Sequence, residues 1–506
     1  MSLPTNTPVI AAIGEFTHKP KNVSDGKEPV DLMAEAMRAA IRDCGQDILS
    51  QLDTVSVLGV VSWLYKNPAS LLCNKLDISP KHQIKAGMGG EKSTKLIHEA
   101  ALAIQKGDKK AVAIVGGESN NAFKKARREK TRLDWTERSS REEAWGDLID
   151  ATLGVSRESS SLGVQRPIHI YPFFENAYSE AAGQTPTESV QQSAILWETF
   201  SKESQHNPYA WQQGPISARD IATVNEHNRM ISFPYSKLMV ANDSVNQAAA
   251  VIVTSFELAI QMGIPEKNLI YFVGGAAADE KTDFLERGRY DYYPAMTAVL
   301  EAASSTVGGA SNLDYSELYS CFPIVPKAAQ QILFKLGMSP NIMPSVTGGL
   351  TFFGGPLNNY MTHACCAMVR ALRKENTANG LLYGQGGVMT KNHALILSSA
   401  SNGNTLSEDY SVQETAQMLS TPPPKVLTEY EGEAIIETYS AYYGRDNEPV
   451  KGIVIARNKT GERIIAEVPY DDEEAILALT DYENNAIGTH GNVRIDSSGR
   501  LIWGLK

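Results

Sequence analysis

The chain has 506 residues, 42% hydrophobic and 21% charged, enough for two or three domains that each bury a core. Its formal net charge of −11 excludes nucleic acid or an anionic membrane as the dominant partner, since both demand a positive field. No apolar run approaches the roughly 18 residues of a membrane span, and the polar stretch from Met1 to Pro8 lacks the basic and apolar regions of a secretory leader, so a cytoplasmic protein is expected.

In chain order, Val9–Ile13 reads as a strand. Leu32–Cys44 follows as a helix with its apolar stripe on Leu32, Ala36, Ala39 and Ala40, closed by a left-handed cap at Gly45. Thr54–Leu58 is a second strand, Ser93–Gln105 a helix leading through Gly107, and Ala111–Val115 a short buried β-run ending at Gly116-Gly117. From about 118 to 235 the periodicity weakens, a stretch too long for a plain loop, which implies an insertion with helices of its own. Regular alternation returns with a strand at Ala248–Thr254. A second block of the same kind then holds helices at Pro294–Ser304, Pro326–Leu336 and Tyr360–Leu372, and strands at Leu313–Tyr319, Leu381–Tyr383 and Ala394–Ser398. The two blocks divide the chain at 1–257 and 258–400. Residues 401–425, rich in Ser, Asn and Gly and carrying Pro422-Pro423-Pro424, read as a stiff linker. The remainder, 426–506, alternates β-runs with turns around one short helix at Glu473–Leu479, the pattern of a small antiparallel barrel. That barrel is similar to an oligonucleotide- or oligosaccharide-binding fold but has no basic, aromatic platform for nucleic acid.

The five cysteines, Cys44, Cys73, Cys321, Cys365 and Cys366, are odd in number and scattered, as expected of reduced thiols, and none has metal-ligand spacing. The nine histidines do not pair with carboxylates or thiols at ligand spacing either, so no metal is expected.

Four segments in order carry a resemblance. Gly116-Gly117-Glu118-Ser119 is similar to a "GG-x-ES" turn, and 241–250 (Ala-Asn-Asp-Ser-Val-Asn-Gln-Ala-Ala-Ala) to "NASGINDGAAA". Tyr319-Ser320-Cys321-Phe322 stands where "NEAF" or "HDCF" is found, and Gly348-Gly349 with Gly354-Gly355-Pro356 matches "GG…GHP". Together they resemble the thiolase superfamily from about residue 8 to 400, and the added barrel resembles the subgroup called thiolase-like proteins of type 1. The resemblance implies an α/β fold of two βαβαβαββ halves in five αβαβα layers, an inserted loop domain, and coenzyme A or an acyl-CoA thioester as substrate or ligand.

Measured against that family, the chemistry is missing. The nucleophilic cysteine is expected at the start of the helix beginning near Ser93, where the helix dipole favours a thiolate, but the turn reads Lys85-Ala86-Gly87-Met88-Gly89-Gly90-Glu91-Lys92. The "GHP" histidine aligns with Gly355, the second cysteine near Leu382 ahead of Gly384-Gln385-Gly386, and the "NEAF" asparagine with Tyr319. Ordinary thiolysis, which needs a nucleophile beside a base and a second base at the α-carbon, is not expected.

The remaining candidates are Cys321, at a strand end where ligands of α/β folds gather, His363 as its basic partner on the following helix, and Tyr319 beside them. A buried apolar thiol and a packed helix histidine are the plainer roles for the first two. Met88, Asn358, Asn359, Gly354, Gly355, Gly386 and Ser244 are assigned to the substrate, with the asparagines as donors to a thioester carbonyl or as helix caps. Arg127 and Arg128, in the basic run 124–132, suit coenzyme A phosphates, although such a run is also the ordinary dress of a solvated helix. The expected function is a thiolase-like acyltransferase on acyl-CoA thioesters, with Cys321 and His363 as the candidate pair. The alternative is a non-catalytic acyl-CoA- or partner-binding protein, as a monomer or homodimer.

Overall fold

The computed structural model describes residues 3–145 and 154–506; the part of the expected insertion at 146–153 lies outside the described residues. A nine-stranded sheet runs in the order β3-β2-β4-β7-β1-β8-β11-β10-β9. Its first half holds β1 (Pro8–Thr17), β2 (Thr54–Val57), β3 (His82–Lys85), β4 (Ala111–Ser119) and, beyond the hairpin β5 (Met230–Ser232) and β6 (Tyr235–Ser236), β7 (Asn246–Ser255). The second half, β8 (Ile270–Asp279), β9 (Tyr315–Leu318), β10 (Asn379–Gly386) and β11 (Lys391–Ser398), repeats the order around a pseudo-dyad where β1 and β8 pair at Val9–Tyr271 and Ile10–Ile270. The repeat is incomplete. Among the described residues no strand pairs with the outer edge of β9; the chain at 343–347 meets it instead, through Leu318 N donating to Pro344 O, Ser316 Oγ to Met343 O and Val346 N to Glu317 Oε2.

The β-runs are continuous in apolar character because both sheet faces are buried. On β4, Val112 and Ile114 join the large central core while Ala111, Ala113 and Val115 face the outer one; on β7, Ala249, Val251 and Val253 alternate in the same way with Ala248, Ala250 and Ile252. The outer core is covered by helix Pro29–Cys44, opened by Pro29 at its first position and ended by Gly45 at φ +69°. That helix lies so close to β1 that a Cβ at Gly14 would fall 1.9 Å from Ala36 O. Helices Lys92–Lys106 and Tyr360–Leu372 fill the middle layer between the two half-sheets, and Pro294–Ser305 and Ile324–Lys335 close the far side, giving five layers. No described helix is long and apolar enough to cross a membrane.

The C-terminal region is a closed five-stranded barrel of β12 (Gly432–Tyr443), β13 (Pro449–Arg457), β14 (Arg463–Pro469), β15 (His490–Ile495) and β16 (Leu501–Leu505). It departs from the expected all-antiparallel barrel in one pairing: β14 and β16 run parallel, linked at Glu467–Ile502, because a closed ring of five strands cannot alternate direction all the way round. Nor does it hang free. The insertion's β5 extends its sheet through Ser232–Tyr442, and helix Pro167–Ala181 binds β12 through Asn176 Nδ2 to Tyr439 O (2.8 Å) and Thr438 Oγ1 to Phe173 O (2.6 Å). Arg463, fully buried, holds Glu437 with two bonds and donates to Leu285 O and Arg287 O of the second half. Ile453, Ile455 and Ile465 belong to the central core.

The expected linker is a packed strap. Gln105 clasps Leu406 N and O, Ala277 N donates to Tyr410 O, and Val412 N to Ala277 O. Under it lies a buried imidazole pair, His98 Nδ1 and His393 Nε2 at 3.1 Å, with the Tyr410 ring 4.6 and 5.3 Å from the two.

Two outcomes are expected. Arg463→Met leaves Glu437 partly stranded, a loss of about 3–5 kcal/mol by the usual cost of breaking a buried pair, read from urea unfolding. Burial lowers His98 from 6.5 to about 4 and His393 in the same direction, so the folded protein binds fewer protons than the unfolded chain. That contribution to stability is complete above pH 6.5 and declines from there down towards pH 4, by about 3 kcal/mol for His98. Urea titrations at pH 7.5, 5.5 and 4.5 should show the decline, and His98→Gln should flatten it.

Candidate functional site

The site is built around the N-terminus of helix Lys92–Lys106. The turn before it bends at Gly89 (φ +148°), and Lys92 N donates back to Gly89 O. Asn358 ties this turn down: its Oδ1 accepts from Gly89 N at 2.9 Å, its Nδ2 donates to Gly59 O at 2.8 Å, and its carbonyl accepts Ser93 Oγ at 2.9 Å. Asn359 Nδ2 likewise donates to Gly116 O at 2.8 Å, at the end of β4. These bonds anchor both side chains to the backbone, while Asn359 Oδ1 is left buried without a partner and Asn359 makes no side-chain cap on the helix it precedes.

Gly90 has no side chain for a steric reason. A Cβ there would stand 2.2 Å from Gln385 O and 2.6 Å from Tyr319 Oη, so the tyrosine ring from the end of β9 fills the space at the helix start. Beside it Tyr171 Oη donates to Gln385 Oε1 at 2.9 Å, and Cys321 Sγ faces the same oxygen at 3.9 Å. Gly386 is bare because the Glu91 carboxylate lies over it, and Met88 is half-buried in the same turn. Tyr319, Cys321, Gly386, Met88 and Asn358 thus surround one helix end.

His363 does not join them. Its Nδ1 lies 2.6 Å from Glu15 Oε1, and Glu15 is paired on its other oxygen with Arg370. Burial opposes the charge on Glu15, but Arg370 and His363 outweigh it and hold the carboxyl below its usual range. Cys321 and His363 therefore sit in two separate hydrogen-bonded groups and do not form the expected dyad. Burial also pushes the Cys321 thiol up to about 12, the opposite of what a nucleophile needs.

Other candidates fall outside the cluster. Arg127 and Arg128 are exposed at the end of helix Asn120–Glu129, where Arg128 meets only Glu129. Ser244 takes a weak bond from Asn121 Nδ2 at 3.4 Å. Gly354 (φ +114°) gives way to the Gln247 side chain, and Gly355 N donates to Asn242 O, so both serve loop packing. Glu118 of the "GG-x-ES" turn accepts from Val61 N and Ser62 N, both at 2.8 Å, and burial raises it to about 7. Sequence reasoning passed over Glu91. The signal was a carboxylate directly before the helix where a thiol was being sought.

A family model described as the thiolase-like protein type 1 additional C-terminal domain matches residues 412–498. The crystal structure of a monomeric SCP2-thiolase like protein type 1 from Mycobacterium smegmatis is similar over 100% of both chains, with 27% identity and a TM-score of 0.82. An Ltp2-ChsH2(DUF35) aldolase matches 78% of this chain and 98% of its own, with 18% identity and a TM-score of 0.58. Human mitochondrial 3-ketoacyl-CoA thiolase in complex with CoA matches 79% of this chain and 100% of its own, with 15% identity and a TM-score of 0.55. A search of curated protein sequences finds no match. The chain has the thiolase fold. Within it, the barrel domain and the end-to-end likeness support placing the chain with the thiolase-like proteins of type 1.

Raising Cys321 from 9.0 to about 12 cuts its thiolate fraction about a thousandfold at neutral pH, and the other four cysteines are buried as well. Ellman's reagent at pH 7.5 should find no fast-reacting thiol in the native protein and five after unfolding in guanidinium.

Proposed function

We propose that this protein binds an acyl-CoA thioester at the start of helix Lys92–Lys106 and acts on it, in the manner of the acyltransferases that share its fold, by a route that forms no cysteinyl acyl-enzyme. The observation that carries this reading is the turn itself. Gly89-Gly90-Glu91 offers no thiol or hydroxyl, and Tyr319 and Gln385 occupy the space over Gly90. Cys321 is too weakly acidic and has no base beside it, so direct transfer or carbon–carbon chemistry on the intact thioester replaces the two-step acyl route. Proteins of this fold carry both thiolase and aldolase names, which supports a scaffold that tolerates such a change.

A second reading is favoured by the same packing: with Tyr319 seated against Gly90, the protein holds acyl-CoA without converting it. The two separate cleanly. Calorimetry with coenzyme A and acetyl-CoA should show binding, and intact mass after incubation with acetyl-CoA and acetoacetyl-CoA should show no acyl adduct. An adduct lost in Cys321→Ala would overturn the proposal. Binding with no product from any thioester in a chromatographic assay would establish the second reading.

A further inference from the structure

Glu91 is a carboxylate in an unusual place. It is 5% exposed, it immediately precedes the buried end of a 15-residue helix, and its Oε2 is enclosed with no hydrogen-bond partner. Thr94 Oγ1, one turn further on, is fully buried and equally unpartnered. Buried polar atoms are almost always satisfied, and a carboxylate oxygen costs more than most to leave bare. The backbone around it has been cleared. A Cβ at Gly386 would fall 1.8 Å from Oε2, one at Gly89 2.4 Å from it, and one at Gly384 2.8 Å from Thr94 Oγ1.

Glu91 also stands at the edge of a cleft of about 420 Å³ between the helix start, the ends of β8 and β11, and the strap, with Lys92, Lys95, Asp279, Lys391 and Tyr410 on its walls. Burial raises Glu91 above the ordinary carboxylate range, while Lys92 and Lys391 draw it back. Near it stands the Tyr319 hydroxyl, which comes so close to the turn that only a glycine fits at position 90 and whose proton the Glu91 charge helps to hold. A base and a donor thus stand at the same turn.

We propose that Glu91 is a catalytic residue that removes the proton from the α-carbon of a bound acyl thioester, with the Tyr319 hydroxyl hydrogen-bonded to the enolate oxygen. The proton passes from the α-carbon to a Glu91 oxygen, the C–H electron pair becomes the enolate double bond, and the carbonyl pair moves onto oxygen. Return of a proton from Glu91 restores the thioester, so no co-reactant is consumed. The lysines on the cleft walls suit the phosphate groups of the thioester's carrier. The proposal rests on the thioester reading above.

The test is exchange at C2 of butyryl-CoA in D2O, followed by proton NMR, with coenzyme A binding measured in parallel by calorimetry. The wild type should exchange well above buffer, and Glu91→Gln should lose about 100-fold or more, the usual worth of a positioned base, while still binding coenzyme A. Wild-type binding without exchange, or unaltered exchange in Glu91→Gln, overturns the role of Glu91 and leaves the thioester reading standing. No coenzyme A binding by the wild type overturns both. If Glu91→Gln does not fold, the wild-type rate against pH decides: it should rise through a single ionisation above the ordinary carboxylate range, and a flat profile overturns the proposal.

Discussion

The constraint on which the rest of the molecule depends is the burial of a helix end. Lys92–Lys106 lies in the middle layer, so its first amides and the positive end of its dipole are in the interior, away from water. Each neighbour answers that demand. Asn358 reaches across from the second half to take Gly89 N, Ser93 answers with a bond to the Asn358 carbonyl, and a carboxylate stands at the entrance. Glycines at 89, 90, 384 and 386 are what that crowding permits. A carboxylate suits the positive end of the helix dipole, so the buried helix start needs no thiol to balance it.

The second organising fact is that the barrel is structural to the whole. Its sheet takes a hairpin from the insertion, its apolar face joins the central core, and the Arg463 guanidinium crosses into the second half to hold two carbonyls of the loop after β8. That loop leads into Pro294–Ser305, which packs on β8, one wall of the cleft at Glu91. The added domain therefore stiffens the frame of the site from behind.

Much of the frame was legible because strands buried on both faces and amphipathic helices write plainly: Tyr360–Leu372 and Glu473–Leu479 are found with the boundaries that their spacing predicts. The extent of β1 was not, because Gly14 and Glu15 interrupt its apolar run although the strand continues to Thr17. The strap was hidden for a different reason. Its polar, Pro-rich composition reads as a spacer, and what fixes it are single contacts such as Tyr410 on the histidine pair, which no periodicity announces. The site was half legible. Motif positions located the helix end and Tyr319, but the partners of a residue are set by distant chain. His363 looked free for Cys321 until Glu15, 348 residues away, was seen to hold it. Asn358 reads from sequence as an oxyanion donor or a helix cap, and only the fold shows its amide anchored on Gly59 and Gly89.

One property of the interior has a practical side. All five native thiols are buried and none forms a disulfide, so the surface offers no cysteine chemistry of its own. A single cysteine placed at an exposed position of the strap or the barrel would be the sole ready point of attachment. Fluorophores or spin labels can then report distances across the cleft in the otherwise unaltered protein.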